Sequence, residues 1–241
     1  MDEQFLVFDL ETIGLPIDTF DPAQQEYLLR GAATDEDRDR KINEFALSPL
    51  TGRIVCIGMQ LVTTADASVR QVAYMLDPTM DDTAAMRESV LPSGATVYYG
   101  AERTMLENWW KLLASKKNIT LVSFNGRNFD APWLMLRSAA LHIRPSRNLM
   151  DGTRFSYSNH IDLLDKLTYY NAQSTGALRR FNFDFYAKSF GITSPKAAGV
   201  DGSKVGLLFE AGEYDAIADY CLRDVASTWD LYSFWNSYLR F

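Results

Sequence analysis

The sequence has very few cysteines and histidines, which limits the kinds of site it can build. Its 241 residues include two cysteines, Cys56 and Cys221, and two histidines, His142 and His160. The cysteines are far apart in apolar surroundings, so we predict buried thiols in a reducing compartment and exclude a disulfide framework or a zinc site. Neither a Ser–His or Cys–His pair with catalytic spacing nor a glycine-rich phosphate loop occurs. For His160 and the neighbouring Asp162 we expect capping or buried polar roles.

Long apolar runs and an excess of positive charge are also missing. No run approaches the roughly 20 residues of a membrane span, and no basic and apolar export signal precedes the first strand, so we predict a soluble, cytoplasmic protein with no membrane contact. The net charge of −7, from 24 Lys and Arg against 31 Asp and Glu, argues against a protein that coats duplex nucleic acid. This net charge is compatible with an enzyme that binds only a few nucleotides, because carboxylates that bind divalent cations contribute negative charge until the cations are present.

Apolar periodicity indicates one domain, residues 1–241, of α/β or α+β class with a mixed sheet. Runs of apolar residues predict five strands, at 4–9, 53–62, 70–76, 95–99 and 118–124. Helical periodicity predicts helices at 102–115, 131–141, 161–170, 183–190 and 213–238. We predict a connection at 78–92 and a mobile loop at 191–206. The acidic, Arg-rich segment around 18–48 predicts helices inserted between two strands.

Two carboxylates follow the first apolar strand. Asp9 and Glu11 are two residues apart at the end of the run Phe5–Phe8, and side chains two apart on a strand share a face. Both carboxylates therefore point to the same side of the sheet edge. A solvated strand end also explains this pair when it is taken alone.

The C-terminal helix carries an acidic residue close to its buried side. At about 100° per residue, Asp224 falls at the border of the apolar stripe, and Tyr220 lies one turn earlier on the same side. An ionised Asp that faces a core is costly unless a cation or hydrogen bonds neutralise it. A salt bridge to an arginine would also neutralise Asp224, but the neighbouring Tyr220 favours a functional site.

A third acidic residue precedes a predicted helix. Asp130 stands before Ala131 and Pro132, a pattern typical of a helix N-cap, which explains this residue as well as a ligand role does. Asn125 and Phe129 lie beside it, on the turn after a strand, where open α/β sheets place their ligands. Hard oxygen ligands with no nearby His or Cys specify Mg²⁺ or Mn²⁺ rather than zinc.

Three segments resemble the exonuclease motifs of the DEDD superfamily, in its tyrosine-containing branch. They are FDLETIG (Phe8–Gly14), SFNGRNFDAPWL (Ser123–Leu134) and YDAIADYCLRDVASTWDLY (Tyr214–Tyr232). The third contains Tyr-x-x-x-Asp, whereas the histidine-containing branch requires His-x-x-x-x-Asp. The resemblance is strongest to the exonuclease domains of family-B DNA polymerases and their stand-alone predicted-exonuclease relatives. It implies a ribonuclease-H-like α/β fold, with a mixed five-stranded sheet flanked by helices, and the acidic segment at 18–48 departs from the common pattern.

The resemblance also implies a role for each matched residue. Asp9, Glu11 and Asp224 would hold the catalytic Mg²⁺ or Mn²⁺. Asp130 would hold a second ion together with Asp9, and Tyr220 would orient the attacking water. Three further residues would contact the terminal nucleotides: Thr12, Asn125 and Phe129.

These roles imply a two-metal 3′–5′ exonuclease that hydrolyses single-stranded DNA or RNA ends to 5′-mononucleotides. No residue that recognises a 2′-hydroxyl is evident, so the sequence does not distinguish DNA from RNA as the substrate. Phe129 either stacks on a base or packs in the core, and Lys196 and Lys204 either contact phosphates or are solvated. The alternatives are a non-catalytic nuclease-like protein used for binding or scaffolding, and a cation-dependent enzyme acting on small nucleotides.

Overall fold

A mixed sheet forms the centre of the protein. The computed structural model describes residues 3–64, 68–171, 179–193 and 202–241, and within these ranges the sheet has seven strands. The strands are β1 (Gln4–Gly14), β2 (Gly52–Thr63), β3 (Ser68–Leu76), β4 (Arg87–Val90), β5 (Thr96–Gly100), β6 (Thr120–Ser123) and β7 (His160–Asp162). Their order is β4-β5-β3-β2-β1-β6-β7. The pairs β1–β6, β6–β7 and β3–β5 are parallel, and the other neighbours are antiparallel.

Helices cover both faces of this sheet. They are α1 (Pro22–Leu29), α2 (Asp35–Asn43), α3 (Glu102–Ser115), α4 (Asp130–Ala140), α5 (Leu163–Leu167), α6 (Phe183–Ser189), α7 (Val205–Glu210) and α8 (Tyr214–Tyr238). Short 3₁₀ turns lie at Ile17–Thr19, Glu44–Leu47, Tyr169–Asn171 and Gly202–Lys204. No helix in the described part of the chain is long and apolar enough to cross a membrane.

The alternation of side chains along β1 separates the two layers of helices. Phe5 contacts the rings of Trp229 and Tyr232 on α8, with centroids 5.5 and 5.1 Å apart. Phe8, on the opposite face, lies 5.3 Å from Trp109 on α3. Burial on both faces explains why β1 begins as a continuous apolar run rather than an alternating one.

The fold confirms the α/β class with a mixed sheet and corrects the number of strands from five to seven. Strand β4 lies within the predicted connection at 78–92, and β7 begins the segment that was predicted to be helical from 161. Both strands have four residues or fewer, too short for a periodic signal. Residues 202–206 of the predicted mobile loop are helical instead, whereas 194–201 lie outside the described residues.

The segment between β1 and β2 contains α1 and α2, which have no buried residues. Its attachment to the sheet comes from the following 3₁₀ turn. There Phe45 is buried with its ring 5.7 Å from Phe20, and Thr12 on β1 donates a hydrogen bond of 2.7 Å to the Ala46 carbonyl. Local capping holds α1, through the reciprocal hydrogen bonds of Asp21 and Gln24.

Candidate active site

The two carboxylates of β1 lie next to a thiol from α8. Asp9 and Glu11 are opposite Gly58 and Cys56 of β2, and the carboxylate oxygens of the two acids lie with Cys221 Sγ within 4.8 Å of one another. Glu11 is buried and Asp9 is half-buried. The strand geometry thus places both acids on the face that α8 covers.

The close approach of α8 depends on the absence of a side chain at Gly58. A Cβ atom at this position would lie 2.7 Å from Cys221 Sγ and 3.1 Å from Val225 Cγ2. Both cysteines are free and buried, as the sequence predicts. Because Gly58 is opposite Asp9, the glycine brings the helix directly against the acidic pair.

Tyr220 and Asp224 reach the same place from one turn of α8. Together with Asp9 they line a cavity of about 210 Å³. Tyr220 is buried, and its hydroxyl donates to the Asp224 carboxylate, an acceptor that lies four residues further along the helix. The placement agrees with the position derived from the apolar stripe of this helix.

The acids raise one another's pKa. Burial raises the pKa of Asp9 well above its usual value, and repulsion from Asp130, Asp224 and Glu11 adds to this effect. Burial and the charges of Asp224 and Asp130 likewise raise the pKa of Glu11. A group of buried and half-buried carboxylates that repel one another is a costly arrangement unless cations neutralise them.

Asp130 joins this group from α4. It is the first residue of the helix, and the N-cap position belongs to Phe129, so the capping interpretation of Asp130 is wrong. Its Oδ1 instead accepts a hydrogen bond of 3.0 Å from the backbone N–H of Leu10, between the two β1 acids. Burial, with a contribution from the charge of Asp162, raises the pKa of Asp130 to about 7, against the hydrogen bonds from its own backbone N–H and from that of Leu10.

The turn that carries Asn125 is held by polar contacts on two sides. Its backbone adopts φ +64°, and its N–H donates to Asp162 Oδ1 at 2.9 Å. Arg180 donates to Asn125 Oδ1 at 2.7 Å. Since a guanidinium only donates, this contact fixes the amide orientation and turns the Asn125 NH₂ group away from Arg180.

The other predicted positions have mixed outcomes. Phe129 is half-buried, packs against the core and lies 6.0 Å from the Trp133 ring, in line with its core interpretation. The Thr12 hydroxyl donates its hydrogen to the Ala46 carbonyl. Lys204 ends an exposed 3₁₀ turn and has interactions of its own, and Lys196 lies outside the described residues.

His160 and Asp162 have the buried polar and capping roles expected from the sequence. Asp162 caps α5, and His160 Nε2 lies 2.8 Å from Ser123 Oγ. Burial lowers the pKa of His160 to about 3, so the ring is neutral. A Cβ on Gly126 would lie 2.2 Å from Ser123 Oγ and 3.3 Å from Asp130 Oδ2, which explains why glycine follows Asn125.

Several residues of the cavity have no role predicted from the sequence. Phe124 and Thr228 lie within two of the exonuclease-like segments, whereas three residues around the start of α6 lie outside all of them: Asn182, Phe183 and Asp184. The helix α6 is predicted by its periodicity, but nothing local places it beside α8. A larger cavity of about 680 Å³ lies between α3 and strands β2, β3 and β5, and none of the four acids lines it.

The family comparison matches residues 53–238, more than half of the chain, to a family of predicted 3′–5′ exonucleases related to the exonuclease domain of PolB. The chain belongs to this family. The matched range includes Asp130, Tyr220 and Asp224 of this predicted exonuclease, whereas Asp9 and Glu11 precede it. No curated protein matches the chain.

A solved structure extends the comparison to the first strand. The predicted exonuclease is similar to the family B DNA polymerase from the hyperthermophilic archaeon Pyrobaculum calidifontis, with a TM-score of 0.55 and 17% sequence identity. The match covers 97% of this chain and 24% of the polymerase. Similarity at this identity concerns the fold, and it confirms the ribonuclease-H-like class.

Proposed function

We propose that the chain is a metal-dependent 3′–5′ exonuclease that hydrolyses single-stranded DNA or RNA ends to 5′-mononucleotides. The observation that carries the proposal is the convergence of Asp9, Glu11, Asp130 and Asp224, with Tyr220 hydrogen-bonded to the last of them. These residues come from β1, α4 and α8 and are separated by up to 215 positions in the sequence. A cluster of mutually repelling carboxylates costs stability, and a cation-dependent reaction is a physical reason for it.

The donor set fits hard divalent cations. Asp9, Glu11 and Asp224 would hold one Mg²⁺ or Mn²⁺, and Asp130 with Asp9 a second, because carboxylate oxygens are the preferred ligands of these ions. Bound ions would lower the pKa of a coordinated water and stabilise the attacking and leaving oxygens of an in-line displacement. Cys221 is the soft donor beside the set, and burial with the nearby acids raises the pKa of its thiol, which favours the neutral form over a thiolate ligand.

Tyr220 fits the role of a water-orienting hydroxyl. Burial and the charges of Glu11 and Asp224 raise its pKa above the usual value near 10, so it keeps its proton at neutral pH and does not act as a general base. While its hydrogen is donated to Asp224, its oxygen retains lone pairs that accept a hydrogen bond from water. The hydroxyl can therefore align a water molecule without removing its proton.

The substrate contacts proposed for this site are those of a terminal nucleotide. The Asn125 NH₂ group, turned away from Arg180, is available to donate to a phosphate or base acceptor. Thr12 Oγ1 retains acceptor capacity, and the half-buried ring of Phe129 leaves an edge for the terminal nucleotide. The cytoplasmic location and the single-domain organisation with an insertion at 18–48 stay predictions.

The decisive experiment compares 5′-labelled single-stranded DNA and RNA of one sequence, each with Mg²⁺, Mn²⁺ or EDTA. We expect a ladder that shortens stepwise and release of 5′-mononucleotides with either ion, and no shortening in EDTA. A circular strand and a strand with a blocked 3′ end are the controls and should stay intact. Cleavage of the circle, or undiminished digestion in EDTA, would contradict the proposal.

Two other outcomes would identify the alternatives. Binding of the strands without any hydrolysis would indicate a nuclease-like binding protein. Hydrolysis of a dinucleotide at a rate far above that of the oligonucleotide would indicate an enzyme of small nucleotides.

A further inference from the structure

The carboxylate of Asp162 accepts more hydrogen bonds than a helix cap requires. It lies at the end of β7, 1% exposed. Its Oδ1 accepts from the N–H of Leu164 at 3.0 Å, which caps α5. The same oxygen accepts from Asn125 at 2.9 Å, and Oδ2 accepts from the N–H of Arg127 at 2.8 Å.

The last two bonds connect β7 to a turn in another part of the chain. Residues 124–129 join β6 to α4, and no strand pairs with them in the described structure. Asn125 holds a left-handed conformation with φ +64°, which persists only where the surroundings stabilise it. The amides of Asn125 and Arg127 both point at one carboxylate, so the turn is closed around Asp162.

The turn leads directly into Asp130. The N–H of Phe129 donates to the Asn125 carbonyl at 3.1 Å, and the N–H of Ala131 donates to the Gly126 carbonyl at 2.8 Å. These bonds tie the first turn of α4 to the residues that Asp162 holds. A shift of the turn would therefore move the Asp130 carboxylate relative to Leu10 and the β1 acids.

We propose that Asp162 is a positioning residue: its carboxylate fixes the turn at 125–129 and thereby sets where Asp130 and Asn125 stand in the site. The proposal rests on the proposed function, since it gives Asp130 the role of a metal ligand. It assigns Asp162 no contact with metal or substrate. Outer carboxylates of this kind orient the ligands of metal sites, and their loss typically weakens metal binding by about 10- to 100-fold.

Two substitutions separate the capping of α5 from the clamp, the name we give to the hydrogen bonds from the amides of Asn125 and Arg127 to Asp162. Asp162→Ser keeps a side chain that caps helices well, but its single oxygen cannot hold the amides of Leu164, Asn125 and Arg127 together. Asp162→Asn keeps one oxygen and replaces the other with an NH₂ group, which faces an N–H and leaves that donor unpaired. Both variants should retain α5, while Asp162→Asn loses one of the two hydrogen bonds from the turn and Asp162→Ser cannot keep both.

The matched control is Glu102→Gln. Glu102 is also a buried carboxylate that accepts a backbone N–H, from Ile54 at 2.8 Å, and it binds Arg137 at 2.8 Å, two turns beyond Asp130 along α4. Its replacement should lower stability without releasing the turn. Any effect that the control shares with the Asp162 variants is a general loss of stability.

The test measures Mn²⁺ affinity from the electron paramagnetic resonance signal of the free ion, and hydrogen exchange of the peptide that covers 124–131 in EDTA. For both Asp162 variants we expect affinity to fall by about 10-fold or more and exchange of this peptide to accelerate. The control should retain wild-type affinity and exchange at 124–131. Wild-type affinity and exchange in Asp162→Ser would overturn the proposal and leave Asp162 as a cap of α5.

Neither measurement requires catalysis, so the outcome is separable from that of the proposed function. If the wild type binds Mn²⁺ about 10-fold or more tightly than the Asp162 variants but digests no strand, the result contradicts the proposed nuclease and supports the positioning role. A wild type that binds no Mn²⁺ would overturn both. An active nuclease whose Asp162 variants keep the wild-type Mn²⁺ midpoint for activity would overturn the positioning role alone.

Discussion

Raising the pH is expected to destabilise the metal-free protein through Asp130, and an asparagine at this position should remove that loss. Burial raises the pKa of Asp130 from 3.8 to about 7, so the folded carboxyl keeps its proton in a range where the unfolded one has released it. The folded state then binds more protons than the unfolded state. The resulting stabilisation is complete below about pH 4 and is lost as the pH rises through about 7.

The size of the effect follows from the pKa difference. At about 1.36 kcal/mol per pH unit, the wild type should lose about 2.5 kcal/mol between about pH 5 and about pH 8 from this group. Asp130→Asn is neutral at every pH, and its side-chain oxygen can still accept from the N–H of Leu10. The variant should match the wild type only below about pH 4, and its advantage in stability should grow by about 2.5 kcal/mol between about pH 5 and about pH 8.

The titration of His160 changes the stability with pH in the opposite direction, so its contribution has to be separated from that of Asp130. Burial lowers its pKa from 6.5 to about 3. The unfolded state therefore binds the additional proton between these values, and stability from His160 rises with pH up to about 6.5. Because both proteins contain His160, its contribution cancels in the difference between Asp130→Asn and the wild type.

The assay is urea unfolding followed by tryptophan fluorescence, in EDTA, at several values between about pH 5 and about pH 8. Asp77→Asn is the control: a hydrogen bond from Thr79 lowers the pKa of Asp77, so this residue is ionised in both states throughout the window. Its difference from the wild type should be independent of pH. A difference between Asp130→Asn and the wild type that is equally flat would refute the assignment of a raised pKa to Asp130.

Three further predictions concern the site and its support. Asp224→Ala should abolish digestion of labelled strands, whereas Tyr220→Phe should leave a remnant about 10²–10⁴-fold below the wild type; equal loss in both would contradict the orienting role. Mg²⁺ or Mn²⁺ at about a hundredfold excess over the dissociation constant should stabilise the wild type by about 2.7 kcal/mol in thermal melts. The double variant Asp9→Asn with Asp224→Asn should lose most of that gain, and an equal gain in both proteins would mean that these acids do not form one metal site. Gly58→Ala should cost about 1–3 kcal/mol in urea unfolding, because its Cβ would lie 2.7 Å from Cys221 Sγ; Gly206→Ala, with open space around its Cβ, is the control and should cost nothing.

Local periodicity was enough to predict the parts of the site that lie on long elements. Strand alternation puts Asp9 and Glu11 on one face, and the 3.6-residue period of α8 puts Tyr220 and Asp224 on one side. These positions depend only on the geometry of a single strand or helix. Their roles in catalysis stay predictions.

The tertiary structure decided what depends on a distant partner. The sequence left an N-cap and a ligand role open for Asp130, and its carboxylate accepts a hydrogen bond from the backbone N–H of Leu10, 120 residues away. It also suggested a helix from residue 161, where His160–Asp162 pairs with β6 as a strand of three residues. Such short segments carry no period of their own, so their conformation follows from the hydrogen bonds that a neighbouring strand supplies. For the same reason no local pattern shows that Asp162, which the sequence marks as a capping or buried polar residue, also holds the turn beside the acids.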